Sequence, residues 1–203
     1  LKTGFGFLQK HPLIFLFGNA SLFIFMTIIV EATYVLPAYV EKFLGKSGDV
    51  YAMADMVFSA GALFAAFVTT KLFKEKNTIK GIIVLSAIAG AMYLLMGFNK
   101  ILVVFFAAQF VIGVCNAAVR IQRVTYLFHH VPNYLLGRAS SVFFIINVFG
   151  RWCLIALFSL PFFHSGIQIV TAMYVMGAIC FAGAIILWWN KAALEATTYF
   201  QKK

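Results

Sequence analysis

Six apolar runs, at 13–40, 50–73, 81–98, 101–119, 139–160 and 167–189, follow one another along this chain with only short polar stops between them. A helix needs roughly 20 apolar residues to cross the hydrocarbon core of a bilayer, and each run is about that long or longer. Nothing in hydrocarbon can satisfy a free backbone N–H or C=O, so a spanning segment must be a helix or part of a closed barrel. Unbroken runs of this length, without the dyad alternation of a barrel strand, predict helices. The composition agrees: 63% of the residues are hydrophobic and only 11% charged, against roughly 25% charged in soluble domains. The stops at 42–49, 71–80, 99–100, 120–138 and 161–166 are too short for a second folded unit. The expectation is one all-α integral membrane domain over 1–203, with its six helices crossing the lipid bilayer.

The basic residues set an orientation. Lys2, Lys10, Lys71, Lys74, Lys76, Lys80, Arg120, Arg123, Arg138, Lys191, Lys202 and Lys203 fall on one side of the six crossings, and Lys42, Lys46 and Lys100 on the other. The positive-inside rule puts the first side, and with it both termini, in the cytoplasm. The formal charge of +10 therefore reads as membrane topology rather than as a nucleic-acid surface, and no nucleic-acid partner is expected. Cys115, Cys153 and Cys180 all lie inside predicted spans and read as small packing residues, with no metal site and no disulfide framework. The chain begins at Leu1 rather than methionine, which suggests a piece of something longer.

Polar residues inside spans are costly and mark function by default. The first span carries Thr27 and Glu31, with Asn19; the second Asp55; the fourth Gln109 and Asn116, ending on Arg120; the fifth Asn147 and Arg151. The third and sixth carry no charge. Two polar helices followed by one apolar helix, twice over, is the trace an inverted three-plus-three repeat leaves in the hydropathy. Gln109, Gly113, Asn116, Arg120 and Arg123 are spaced 4, 3, 4 and 3 apart, so they share one helix face. Such a stripe must face a helix interface or a water-filled cavity. At 1.5 Å of rise per residue Arg151 lies about 18 Å from the cytoplasmic end of its span, near the midplane, and Glu31 about 9 Å further out. Arg151, Asn147, Asn116, Gln109, Glu31 and Thr27 are thus the expected cavity lining, and Arg120, Arg123 and Arg138 the cytoplasmic mouth.

Residues 116–151, NAAVRIQRVTYLFHHVPNYLLGRASSVFFIINVFGR, resemble the region joining the tenth and eleventh helices of bacterial efflux-type members of the major facilitator superfamily. There a V-P-x-x-x-x-G-R-x-S pattern opens the eleventh helix. The family's basic loop signature is present in degraded form after Gly61, keeping the lysines but lacking the usual acidic residue and glycine. The resemblance implies the C-terminal half of a twelve-helix secondary transporter in a bacterial inner membrane, working with an N-terminal six-helix half by alternating access. It implies a small-molecule substrate, efflux, and coupling to protons, with the first, second, fourth and fifth helices lining the cavity. A scaffold of the same fold that has lost transport is the alternative. A membrane-embedded enzyme fits poorly, because the chain has neither H-E-x-x-H nor G-x-S-x-G and offers no catalytic constellation. No cofactor is implied. His129-His130 reads as a solvated pair in the 120–138 loop.

Overall fold

A computed structural model describes residues 2–72, 78–164 and 167–196. Its helices are α1 (Lys2–Lys10), α2 (Pro12–Ala20), α3 (Phe23–Val30), α4 (Leu36–Lys42), α5 (Gly48–Leu72), α6 (Thr78–Phe98), α7 (Leu102–His130), α8 (Asn133–Phe158), α9 (Ile169–Trp189) and α10 (Lys191–Glu195). A π-type turn at Glu31–Val35 and a 3-10 turn at Pro161–His164 complete the described elements, which include no strand. Six helical stretches are long and apolar enough to cross a membrane: Pro12–Lys42, built from α2 to α4, then Gly48–Phe67, Thr78–Phe98, Leu102–His130, Asn133–Phe158 and Ile169–Trp189. The centre of the basic 71–80 run, with Lys74 and Lys76, and the terminal Lys202 and Lys203 lie outside the described residues.

The fourth span differs most from expectation. The stretch 120–138 is not a loop: α7 continues to His130 and α8 begins at Asn133, which leaves Val131 and Pro132 as the connection. Apolar residues continue at helical period between the charges, with Val119, Tyr126 and Leu127 all buried. Within α7 every residue has a backbone N–H to donate, and the first proline after it is Pro132. Val131, the residue before proline, is extended at φ −115 and ψ 129, as the proline ring requires. His129-His130 is accordingly corrected from a solvated loop pair to the last turn of a helix. His130 is buried, its Nδ1 lies 2.8 Å from the Tyr126 carbonyl, and its ring stacks on Tyr126 at 3.8 Å.

Two helix pairs approach each other reciprocally at glycines. On α5 and α7, a Cβ on Gly61 would meet the Phe110 carbonyl oxygen, and one on Gly113 the Phe58 carbonyl oxygen. On α6 and α9, Gly90 and Gly177 face each other's carbonyls in the same reciprocal way, at 3.1 and 3.0 Å from an added Cβ. Lipid supplies no hydrophobic drive between helices, so close backbone contact is a main source of association. The first span fills the centre: 67% of its apolar window is buried, against 17% for α5 and 22% for α8. α5 and α8 therefore present wide apolar faces outward, with Met56, Leu63 and Phe67 on one and Phe144, Phe149 and Trp152 on the other.

Candidate functional site

The first span is interrupted twice, and the polar side chains of its neighbours converge on the interruptions. The first break falls at Ser21–Leu22, between α2 and α3. Here the Leu22 N–H turns back to the Asn19 carbonyl at 2.9 Å, a tighter i→i−3 bond in place of the α-helical bond to Gly18. The released Gly18 carbonyl accepts from the Ser21 hydroxyl at 3.3 Å and, over a longer 3.5 Å, from Arg123 of α7. Arg123 also donates its Nε–H to the Ser21 Oγ at 3.1 Å and lies over the Phe143 ring of α8 at 5.4 Å. From α8, Asn147 donates to the Leu22 carbonyl at 3.4 Å. Irregular backbone at membrane depth survives only where other protein groups take up its polar atoms, and Arg123 and Asn147 do so here.

The second interruption is the turn Glu31–Val35, in which the Leu36 N–H reaches the Glu31 carbonyl. The next donor in that wider register is Pro37, which has no N–H. The Ala32 carbonyl it would have served accepts instead from the Tyr51 hydroxyl of α5 at 3.0 Å. This turn carries Glu31 inward, where it is 1% exposed. One carboxyl oxygen accepts from Gln109 Nε2 of α7 at 2.6 Å and the other from the Tyr93 hydroxyl of α6 at 3.4 Å. One turn toward α2, the buried Thr27 hydroxyl donates to the Ile24 carbonyl at 2.9 Å and lies 3.4 Å from the Cys180 sulfur of α9. Four spans thus meet around one carboxyl group.

The expected lining residues divide into groups. Thr27, Glu31 and Gln109 form the inner cluster; Asn147 serves the first break. Asn116 is half-buried with its Oδ1 shielded and unpartnered. Arg151 is half-buried on α8 with its Nε shielded and unpartnered. It does not reach Glu31, whose oxygens are taken by Gln109 and Tyr93. Of the three arginines expected at the mouth, Arg123 is drawn into the first break, Arg120 is exposed beside the Phe25 ring at 5.6 Å, and Arg138 donates to the Thr3 hydroxyl of α1 at 3.1 Å. Asp55 is exposed on α5.

Tyr93, Cys180, Ser21 and Gln122 escape a reading based on charge. Tyr93 and Cys180 sit in the third and sixth spans, which look wholly apolar by charge yet reach the inner cluster through a hydroxyl and a thiol. Gln122, 4% exposed, has neither amide atom partnered. Among the described residues no group of three His, Cys, Asp or Glu side chains could hold a metal ion. No curated protein and no solved structure matches the chain. The family model of the Major Facilitator Superfamily matches residues 1–152, a stretch that contains both interruptions of the first span together with Tyr93, Gln109, Arg123 and Asn147. The chain belongs to the Major Facilitator Superfamily, a family of membrane transporters.

Proposed function

We propose that this domain is the C-terminal six-helix half of a secondary active transporter that moves small molecules by alternating access, as an exporter in a bacterial inner membrane. The observation that carries the reading is the doubly interrupted first span, with polar groups of α6, α7 and α8 assembled around it at membrane depth. Transporters build central sites from discontinuous helices in this manner. The outward apolar faces of α5 and α8 supply the surface against which an N-terminal six-helix half would pack. Glu31 is the group on which a coupling proton would travel, since among the candidate lining residues it alone is a carboxylic acid.

Arg151 belongs to the substrate pathway in this reading. Because α8 begins at Asn133 rather than at 139, Arg151 stands about 27 Å along it, beyond its midpoint. A guanidinium within the hydrocarbon costs up to about 2.5–3.5 kcal/mol on insertion scales, so it persists where a cavity or an anionic group receives it. In proteoliposomes holding the full-length transporter, Arg151→Leu is expected to lower solute flux about 10–100-fold, the equivalent of one lost charge-assisted hydrogen bond. Arg151→Lys keeps the charge but not the planar fork and retains part of the flux. Normal flux in the Leu variant would make Arg151 a packing residue. Absence of solute flux in the unmodified protein would favour the non-transporting scaffold.

Both termini are cytoplasmic in this topology. An impermeant thiol reagent added to intact cells, in a background lacking the native cysteines, should label Lys46→Cys and leave Lys10→Cys unlabelled; both positions are exposed. The opposite pattern would invert the orientation.

A further inference from the structure

The cationic groups beside the first break are not equivalent. Arg123 is committed: its Nε–H goes to Ser21, its Nη2 points at the Gly18 carbonyl, and its plane covers Phe143. Arg120 and Arg151 are not. Among the described residues Arg120 lies over the Phe25 ring, and the Nε of Arg151 is shielded without a partner. Neither has a carboxylate partner among the described residues. Glu31 is occupied by Gln109 and Tyr93, and Asp49 by the Ser47 hydroxyl.

Arg120 and the residue before Arg151 come from different helices to one turn of the first span. Arg120 of α7 is placed by Phe25. On α8, Gly150, the neighbour of Arg151, packs against the Met26 side chain, whose sulfur occupies the place a Cβ would take. Phe25 and Met26 are adjacent in sequence, so both guanidinium-bearing helices touch the span at the same depth. One helical turn from Arg120, Asn116 holds a shielded oxygen that accepts from nothing, although buried acceptors are normally satisfied.

Resting on the transporter reading, we infer that the substrate is a small organic anion, bearing a carboxylate or phosphate, which Arg120 and Arg151 grip across the Phe25–Met26 turn. A hydroxyl or N–H of the same molecule donates to the Asn116 Oδ1. Guanidinium groups match the planar, two-oxygen geometry of carboxylate and phosphate and are weakly hydrated, so they release water readily for such a ligand. The Phe25 face holds Arg120 in place by a cation–π contact without occupying any of its N–H donors. Arg123 acts as a positioning residue: it keeps the first break closed over Ser21 and leaves the adjacent turn to the other two.

The test uses the purified full-length transporter in detergent, followed by thermal unfolding at constant ionic strength set with sodium chloride. Citrate and glucose 6-phosphate are the anionic probes and glucose the neutral one; nanodiscs of phosphatidylglycerol and of phosphatidylcholine form the lipid arm. At least one soluble anion should raise the midpoint while glucose does not. The Arg120→Gln and Arg151→Gln variants should each weaken that anion's apparent affinity about tenfold or more, as expected for losing a hydrogen bond between charged groups. The inference is overturned if glucose stabilises as well as its phosphate, if the shift survives both substitutions together, if neither anion shifts the midpoint, or if only phosphatidylglycerol stabilises, which would assign the arginines to a lipid headgroup. The transporter reading fails separately, on an absence of solute flux in proteoliposomes; flux of neutral solutes without anion binding would overturn this inference alone.

Discussion

Gly113→Leu is expected to leave little correctly folded protein in the membrane. α5 buries only 17% of its apolar window within the domain, so its attachment depends heavily on the line where it meets α7. At that line the two backbones touch: a Cβ on Gly113 would strike the Phe58 carbonyl oxygen and lie 3.2 Å from the Ala62 nitrogen. A Cβ on Gly61 would strike the Phe110 carbonyl oxygen and lie 3.2 Å from the Val114 nitrogen. The obstructing atoms are backbone and cannot rotate away, so the helices must separate and the contacts along both of them loosen together. Overpacking of this kind costs about 3 kcal/mol, a large share of a typical domain's stability of about 5–15 kcal/mol. Gly6→Leu, at a position where an added Cβ meets nothing within 4 Å, should be silent. Size-exclusion profiles and denaturation midpoints of the two variants give the comparison; an unchanged midpoint for Gly113→Leu would mean that the crossing is looser than described.

Gly113 also shows how far the sequence could be read. Its place in the stripe Gln109, Gly113, Asn116, Arg120, Arg123 follows from spacing alone, and the structure keeps all five on one helix. Spacing could not say that the stripe serves several purposes: Gln109 binds Glu31, Gly113 admits α5, and Arg123 mends the first break. Those assignments depend on which helices lie opposite, and that information resides in long-range packing. The six spans were legible because hydrocarbon imposes one rule on all of them. The end of α7 was misread because Arg120 and Arg123 look like a stop signal, whereas the physical stop is Pro132, which cannot continue a helix. The interruptions of the first span left faint traces, Pro37 for the second and Gly18 with Ser21 for the first. A proline or glycine in an apolar run marks a candidate break without showing which distant side chain will satisfy it. Tyr93 and Cys180 were hidden because both residue types count as apolar in a hydropathy reading.

Substitution at Glu31 should separate the stability of the inner cluster from its chemistry. Glu31→Ala removes the acceptor for Gln109, bonded at 2.6 Å, and for the Tyr93 hydroxyl at 3.4 Å. Gln109 and Tyr93 then lose the acceptor they share, in a site where Thr27, Tyr93 and Gln109 are each at most 1% exposed. A buried donor left unpaired costs about 1–3 kcal/mol in soluble proteins, while interhelical hydrogen bonds within membranes average about 0.6 kcal/mol. Together with the lost side-chain volume, about 2 kcal/mol is the expected destabilisation of Glu31→Ala. Glu31→Gln keeps the volume and an oxygen that can still accept from Gln109, and it should lie within about 1 kcal/mol of the unmodified protein. Function should divide differently. An amide cannot take up and release a proton, so if Glu31 carries the coupling proton, Glu31→Gln will fold normally yet lose proton-driven flux in proteoliposomes. Exchange of substrate between two equal pools needs no net proton movement and should survive. Proton-driven flux undiminished in a well-folded Glu31→Gln transporter would remove Glu31 from the coupling mechanism and leave it as the structural centre on which four spans converge.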